Sequence, residues 1–176
     1  SHSLDACVKD WGASATAYAS YVATDGDIWL WRSFAFGQDS TASIGITHYD
    51  YPVARSGWGN QVLVAYILHT ASGSLRACVA SSVNGGATFP GGHCFGSEPT
   101  DHRMADVTLR KGAGAAVFYQ SGLDHGLYMS HSPAGETGSW SEPVRCNDTD
   151  LRLGVDVVIG IQRKHWSFAK QRQRPP

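Results

Sequence analysis

The sequence predicts an all-β fold, built from a repeated unit of four short antiparallel strands. Asp5, Asp50, Asp101 and Asp150 each open a similar phrase and are separated by 45, 51 and 49 residues. The apolar runs after them are short, rich in β-branched and aromatic residues, and bounded by glycine and serine, which is typical of strands. No stretch combines a helical period with capping residues. A fixed period of this length is the signature of a repeat architecture.

The strands of each unit follow in a constant order. A polar turn after each Asp phrase leads to the apolar runs ATAYASYV, QVLVAYIL, AAVFYQS and VVIGIQRKHW. A second run follows across a short turn in DIWLWRSF, SLRACVASS and HGLYMSHS, and a third turn leads to an outer segment such as SWSEPVRC. Four strands in about 50 residues is the size of a propeller blade. We therefore expect one propeller-type domain over 1–176, with blades near 5–49, 50–100 and 101–149, a partial blade at 150–169, and a tail at 170–176.

About three and a half blades do not close a ring, since propellers typically have four to eight blades. We expect a partial propeller or half of an assembled ring, with a second copy of the chain or the rest of a larger propeller as its partner. A small four-bladed ring is the alternative. An open series would leave unpaired strand edges at its ends.

Composition limits the partners. Charged residues make up only 16% of the chain and the formal net charge is −1, which argues against nucleic acid as a partner. No apolar run reaches the roughly 20 residues that cross a bilayer, so no membrane partner is expected. Low charge and abundant Ser, Thr and Gly favour an extracellular protein, and disulfides between its cysteines would agree with this.

The four cysteines, Cys7, Cys78, Cys94 and Cys146, lack CxxC spacing, so a zinc site is not expected. No other metal and no cofactor is expected either. Cys78 and Cys94 flank a predicted hairpin turn, SSVNGGATFP, and a disulfide between them is one pairing that the turn would allow.

That turn carries a motif. Ser82-x-Asn84-x-Gly86-x-Thr88-Phe89 resembles the Asp-box (BNR) motif, S-x-D-x-G-x-T-W/F, of sialidase-like propellers of the secreted bacterial type, with Asn in place of Asp and Phe in place of Trp. The resemblance implies that the turn lies on the outer rim and serves folding rather than catalysis. Its chemistry suits a turn, because Ser and Asn side chains bond backbone groups and glycine adopts positive φ.

Ligand-binding residues are expected where loops enter the innermost strand of each blade. The candidate ligand-binding residues are Asp50, Asp101, His102, Arg103, Asp150 and Arg152. Arginine offers a planar fork to carboxylates and Asp accepts from hydroxyl groups, so an acidic or polyhydroxylated sugar is the expected ligand. The alternative is structural, with each repeated Asp bonding loop N–H groups between blades.

Three functions remain open. The first is a secreted binding or scaffold module for a carbohydrate-like ligand. The second is a sialidase-like glycoside hydrolase whose site is completed by missing blades or a second chain. The resemblance would then imply an arginine triad, for which Arg55, Arg103 and Arg152 are available, although the Arg-Ile-Pro phrase of that family is absent. The third is an interaction domain without a small ligand.

Overall fold

The computed structural model describes residues 4–9, 16–24, 26–33, 39–44, 49–56, 60–97, 100–110, 114–135, 139–147, 161–162 and 165–166. Across these residues the chain forms three four-stranded antiparallel sheets, each with its strands in sequential order. No helix occurs in the described part of the chain. The prediction of an all-β chain of four-stranded antiparallel sheets is confirmed.

The first sheet comprises β1 (Leu4–Lys9), β2 (Thr16–Val22), β3 (Ile28–Ser33) and β4 (Asp39–Ser43). The second sheet comprises β5 (Tyr49–Ser56), β6 (Val62–His69), β7 (Leu75–Ser82) and β8 (Gly92–Cys94). The third sheet comprises β9 (His102–Arg110), β10 (Gly114–Ser121), β11 (Leu127–Ser132) and β12 (Val144–Arg145).

Of the predicted partial blade at 150–169, the structure describes only a hairpin of β13 (Ile161–Gln162) and β14 (His165–Trp166). The blade boundaries and the number of blades stay predictions.

The second sheet lies between the other two and is buried on both faces. Successive side chains of a strand point to opposite faces, so an entirely apolar strand can serve two interfaces. On β6, Leu63, Ala65 and Ile67 pack towards the third sheet, in one cluster with Val107 and Val117. The alternate residues pack towards the first sheet, in a second cluster that includes Val62, Val64, Tyr66, Tyr18, Ile28 and Leu30. The apolar run VLVAYI is thus fully buried because it packs against two neighbours.

A disulfide joins Cys78 of β7 to Cys94 of β8, which lie opposite each other in the register of the two strands. The pairing allowed by the sequence is therefore present. A disulfide is compatible with an extracellular protein. Among the residues that the structure describes, no helix has the length and apolar character needed to span a bilayer.

Candidate functional site

Three chain segments meet at one end of the second and third sheets. Leu75, the first residue of β7, forms a parallel bridge with Asp101, and its N–H donates to the carbonyl of Thr100 at 3.1 Å. The N–H of Gly122, in the turn between β10 and β11, donates to the carbonyl of Asp101. A fourth segment joins them at Leu127, whose N–H donates to Asn147 Oδ1 at 2.6 Å. We call this end the loop edge and define it by residues 70–75, 100–103, 121–128 and 145–147.

An exposed ion pair lies at the loop edge. Nε and Nη2 of Arg103 donate to Oδ2 of Asp101 at 3.1 and 2.8 Å. The Arg103 side chain is 55% exposed and that of Asp101 is 26% exposed, so solvent reaches both groups. Gly122 lies directly beneath the pair, and a Cβ there would come within 2.7 Å of the Asp101 carboxyl carbon. Glycine at 122 is therefore what lets the β10–β11 turn approach the pair.

A second carboxylate, Asp124, lies two residues beyond Gly122. The Tyr128 hydroxyl donates to its Oδ2 at 2.5 Å, the Gly126 N–H donates to its Oδ1 at 3.1 Å, and Arg145 Nη1 lies 3.8 Å from Oδ2. The Tyr128 hydrogen bond, with help from the Ser121 side chain, the Gly126 N–H and the Arg145 charge, lowers the pKa of Asp124 to about 2. The same hydrogen bond raises the pKa of Tyr128. The pair is thus a carboxylate and a neutral phenol over the physiological pH range.

Aromatic rings extend from this network into the interface between the sheets. Tyr128 stacks on Tyr119 at 5.7 Å between ring centroids, and Tyr119 contacts His102 at 4.3 Å and Phe95 at 5.8 Å. Phe95 is buried and Tyr128 is partly exposed. The stack supports Tyr128 from behind, which fixes its ring at the surface.

His102 is buried, with 6% of its surface exposed. Its Nδ1 accepts the N–H of Ala77 at 3.0 Å, which leaves the proton of the neutral ring on Nε2. Burial, reinforced by the Arg76 charge, lowers the pKa of His102 to about 4. This side chain links the third sheet to the backbone of the second, whereas its neighbours in sequence face solvent.

The other predicted ligand residues are dispersed. Asp50 lies in β5 opposite Ile67. Asp150 and Arg152 lie outside the described residues. Arg55, a candidate for an arginine triad, lies near the end of β5, where its Nη2 is 3.3 Å from Oδ1 of Asp106 in β9.

Sequence reasoning missed Asp124, Tyr128 and Arg145. The phrase SGLDHGLY contains the first two, four residues apart around a glycine turn. That spacing was the available signal, because an Asp in a tight turn can accept from a group on the strand that follows. Arg145 comes 17 residues after Tyr128 and reaches it only through the pairing of β11 with β12.

The Asp-box-like turn lies at the opposite end of β7 from Leu75. Ser82 Oγ accepts the Gly86 N–H at 2.9 Å and donates to Asn84 Oδ1 at 2.8 Å. Asn84 Oδ1 also accepts the Thr88 N–H at 3.0 Å, and Asn84 Nδ2 donates to Thr88 Oγ1 at 2.9 Å. Phe89 packs against the core between the first and second sheets. These contacts hold the turn and lie away from the loop edge.

Comparison with known proteins gives a likeness of fold. No family model matches the sequence, and no curated protein matches it. Among solved structures, the chain is similar to an exo-β-1,3-galactanase from Phanerochaete chrysosporium, solved with β-1,3-galactotriose, with a TM-score of 0.53 and 14% sequence identity. The likeness covers 84% of this chain and 39% of that one. That enzyme is a β-propeller, so the likeness places the three sheets in a propeller-type arrangement.

Proposed function

We propose that this chain is an extracellular, propeller-type binding module that recognises a carbohydrate-like ligand at the loop edge. One observation carries the proposal: two carboxylate networks, Asp101–Arg103 and Asp124–Tyr128–Arg145, lie at the β10–β11 turn and are open to solvent. Fixed carboxylates accept from sugar hydroxyls, arginine donates to sugar oxygens, and a supported ring offers an apolar surface to the sugar's C–H groups.

The ionisation of Asp124 excludes one catalytic role for this carboxyl, that of the general acid in glycoside hydrolysis. A general acid that protonates a glycosidic oxygen works best with a pKa near the working pH. The pKa of Asp124 is about 2, so this carboxyl holds no proton to give at neutral pH. Its chemical capacity is to accept hydrogen bonds.

A glycan array with the purified chain tests the proposal. We expect binding by the unmodified chain, and a loss of at least tenfold for Asp124→Asn, which removes the charge that Tyr128 and Arg145 surround. Asp106→Asn is the matched control, because it also converts an ion-paired aspartate to asparagine but lies about 17 Å along the strand from Asp101, away from the loop edge. A folded chain that binds no glycan, or an Asp124→Asn variant that binds as well as the control, would refute the assignment.

A glycoside hydrolase is the second candidate, with its site completed by further blades or by a second chain. Its support is the propeller-type likeness to a galactanase chain of which this chain spans 39%. Release of 4-methylumbelliferone from β-galactoside and sialoside substrates measures this directly. Turnover that survives purification and disappears in Arg103→Ala would favour the enzyme over the binding module.

The sialidase-like (BNR) relationship and a partner that completes the ring are also proposals. The hydrogen bonds of Ser82 and Asn84 support the first, because they are those that an Asp-box turn requires. The stacking of the three sheets supports the proposal of a partner, since the first and last sheets of an open series each have one face that another blade can cover. Sedimentation equilibrium distinguishes a monomer from a second copy. A mass that stays monomeric at every concentration would exclude a second copy as the partner that completes the ring. The remaining hypothesis would then be an interaction domain that pairs with a different chain.

A further inference from the structure

We infer that the loop edge takes a neutral, hydroxyl-bearing saccharide and discriminates against sugars that carry a carboxylate. This inference rests on the proposed function, because it specifies the ligand class of the same site. The inference depends on what the guanidinium groups of the arginines already contact. Every arginine whose side chain the structure describes already donates a hydrogen bond to an acceptor of the chain itself or is paired with one of its carboxylates.

The five arginine contacts are these: Arg32 to the carbonyl of Gly85 at 2.9 Å, Arg55 to Asp106 at 3.3 Å, Arg76 to the carbonyl of Gly96 at 2.7 Å, Arg103 to Asp101 at 2.8 Å, and Arg145 to Asp124 at 3.8 Å. Recognition of a sugar carboxylate uses arginines whose fork is open to the ligand. In the described part of the chain, each guanidinium already faces a carboxylate or a carbonyl.

At the loop edge, a ligand carboxylate would compete with Asp101 for Arg103. Nε and Nη2 of Arg103 both point at one oxygen of Asp101, so a ligand carboxylate on that edge of the guanidinium would have to displace Asp101. A ligand carboxylate on the remaining N–H groups would lie close to the negative charge of Asp101, which a neutral hydroxyl does not oppose. The same edge holds a second carboxylate, Asp124, which is ionised at neutral pH and paired with Arg145. Like charges close together disfavour the ionised state of both groups. The two Asp–Arg pairs together present no net charge to a ligand.

A hydroxyl group meets no such conflict. It can donate to the aspartate oxygens and accept from the remaining N–H groups of Arg103, since a guanidinium has five donors and only those on Nε and Nη2 are directed at Asp101. Tyr128, held by its stack on Tyr119, adds a partly exposed ring at the same edge. Such a set of donors, acceptors and one ring face matches a pyranose without ionised groups.

The test uses two probes that differ only at carbon 6, methyl β-galactopyranoside and its uronate, methyl β-galactopyranosiduronate. We expect amide shifts at Gly122, Asp124 and Gly126 in NMR titrations with the neutral probe. We expect at least tenfold weaker binding of the uronate. Binding of the neutral probe should change little between 50 and 300 mM salt, because no ligand charge is involved.

Asp101→Asn gives a second and independent readout, because it releases the Arg103 guanidinium from its carboxylate. The uronate should then bind at least as tightly as the neutral probe, with a marked dependence on salt. Asp106→Asn, which releases Arg55 of β5 away from the loop edge, should leave the preference of the unmodified chain unchanged.

Each outcome is decisive. Equal or tighter binding of the uronate by the unmodified chain would overturn the inference while leaving the carbohydrate-binding function in place. An Asp101→Asn variant that keeps the neutral preference would also overturn it, because the Asp–Arg pairing would then not control the choice. A chain that binds neither probe and no glycan on the array would remove the proposed function and this inference with it.

Discussion

Gly86→Ala tests the packing of the Asp-box-like turn against the first sheet. Gly86 has φ of +78°, and a Cβ at this position would lie 2.5 Å from Cδ2 of Leu30 and 3.3 Å from Cδ of Arg32. Leu30 is fully buried in the core between the first and second sheets, so it has little freedom to move away.

Two costs add for this substitution. An alanine forced into the left-handed region costs about 1–2 kcal/mol, and overpacking of a close-packed interface costs about 1–3 kcal/mol more. The expected loss is therefore about 2–5 kcal/mol. That is a large part of the stability of an ordinary domain.

Gly73→Ala provides the matched control. Gly73 has φ of +82°, but a Cβ at this position would meet nothing within 4 Å, so this variant measures the backbone cost alone, about 1–2 kcal/mol. Urea unfolding followed by tryptophan fluorescence gives the free energy of unfolding of both variants. If Gly86→Ala costs no more than Gly73→Ala, the turn does not pack on Leu30 as described and the reasoning fails.

Three further predictions concern protonation and cross-linking. Since the folded-state pKa of His102, about 4, is below the ordinary value of 6.5, stability is full above pH 6.5 and falls as the pH drops towards 4, by at most about 3 kcal/mol. Urea unfolding between pH 7 and pH 4 should show a shallower loss for His102→Gln, and identical slopes would contradict the burial argument. The Cys78–Cys94 disulfide closes a loop with a sequence separation of 16, so its loss in Cys78→Ala/Cys94→Ala should cost about 3 kcal/mol in the same assay, and an unchanged midpoint would contradict this. Tyr128→Phe removes the largest influence on Asp124, whose pKa should rise from about 2 towards its ordinary value in a carboxyl-carbon NMR titration; an unmoved titration would exclude the hydrogen bond as the cause.

The secondary structure was predictable because it depends on local pattern. The apolar run of β6 and the turn residues on each side of it indicate a buried strand whatever it packs against. The same applies to the turn at Ser82–Gly86, whose side chains bond groups within four residues. The disulfide followed from this hairpin, since the turn brings Cys78 opposite Cys94.

The candidate site was only partly predictable. Asp101 and Arg103 stood out because their Asp begins a repeated phrase, and the structure pairs them at the loop edge. His102 belongs to the same phrase, but strand alternation turns its side chain in the opposite direction, into the interface between the sheets. Asp124 belongs to no repeat, and its partner Arg145 comes from another strand.

The sequence by itself determined the element type, the repeat of about 50 residues and the turn chemistry, because strand alternation and glycine turns depend on neighbours along the chain. Only the tertiary structure decided which charges meet. Pairing of Arg145 with Asp124 depends on the register of β11 and β12, and the Asp101–Arg103 pair meets the β10–β11 turn only because residue 122 has no side chain. Ion pairs form through space over a few ångströms, whereas sequence patterns record only separation along the chain.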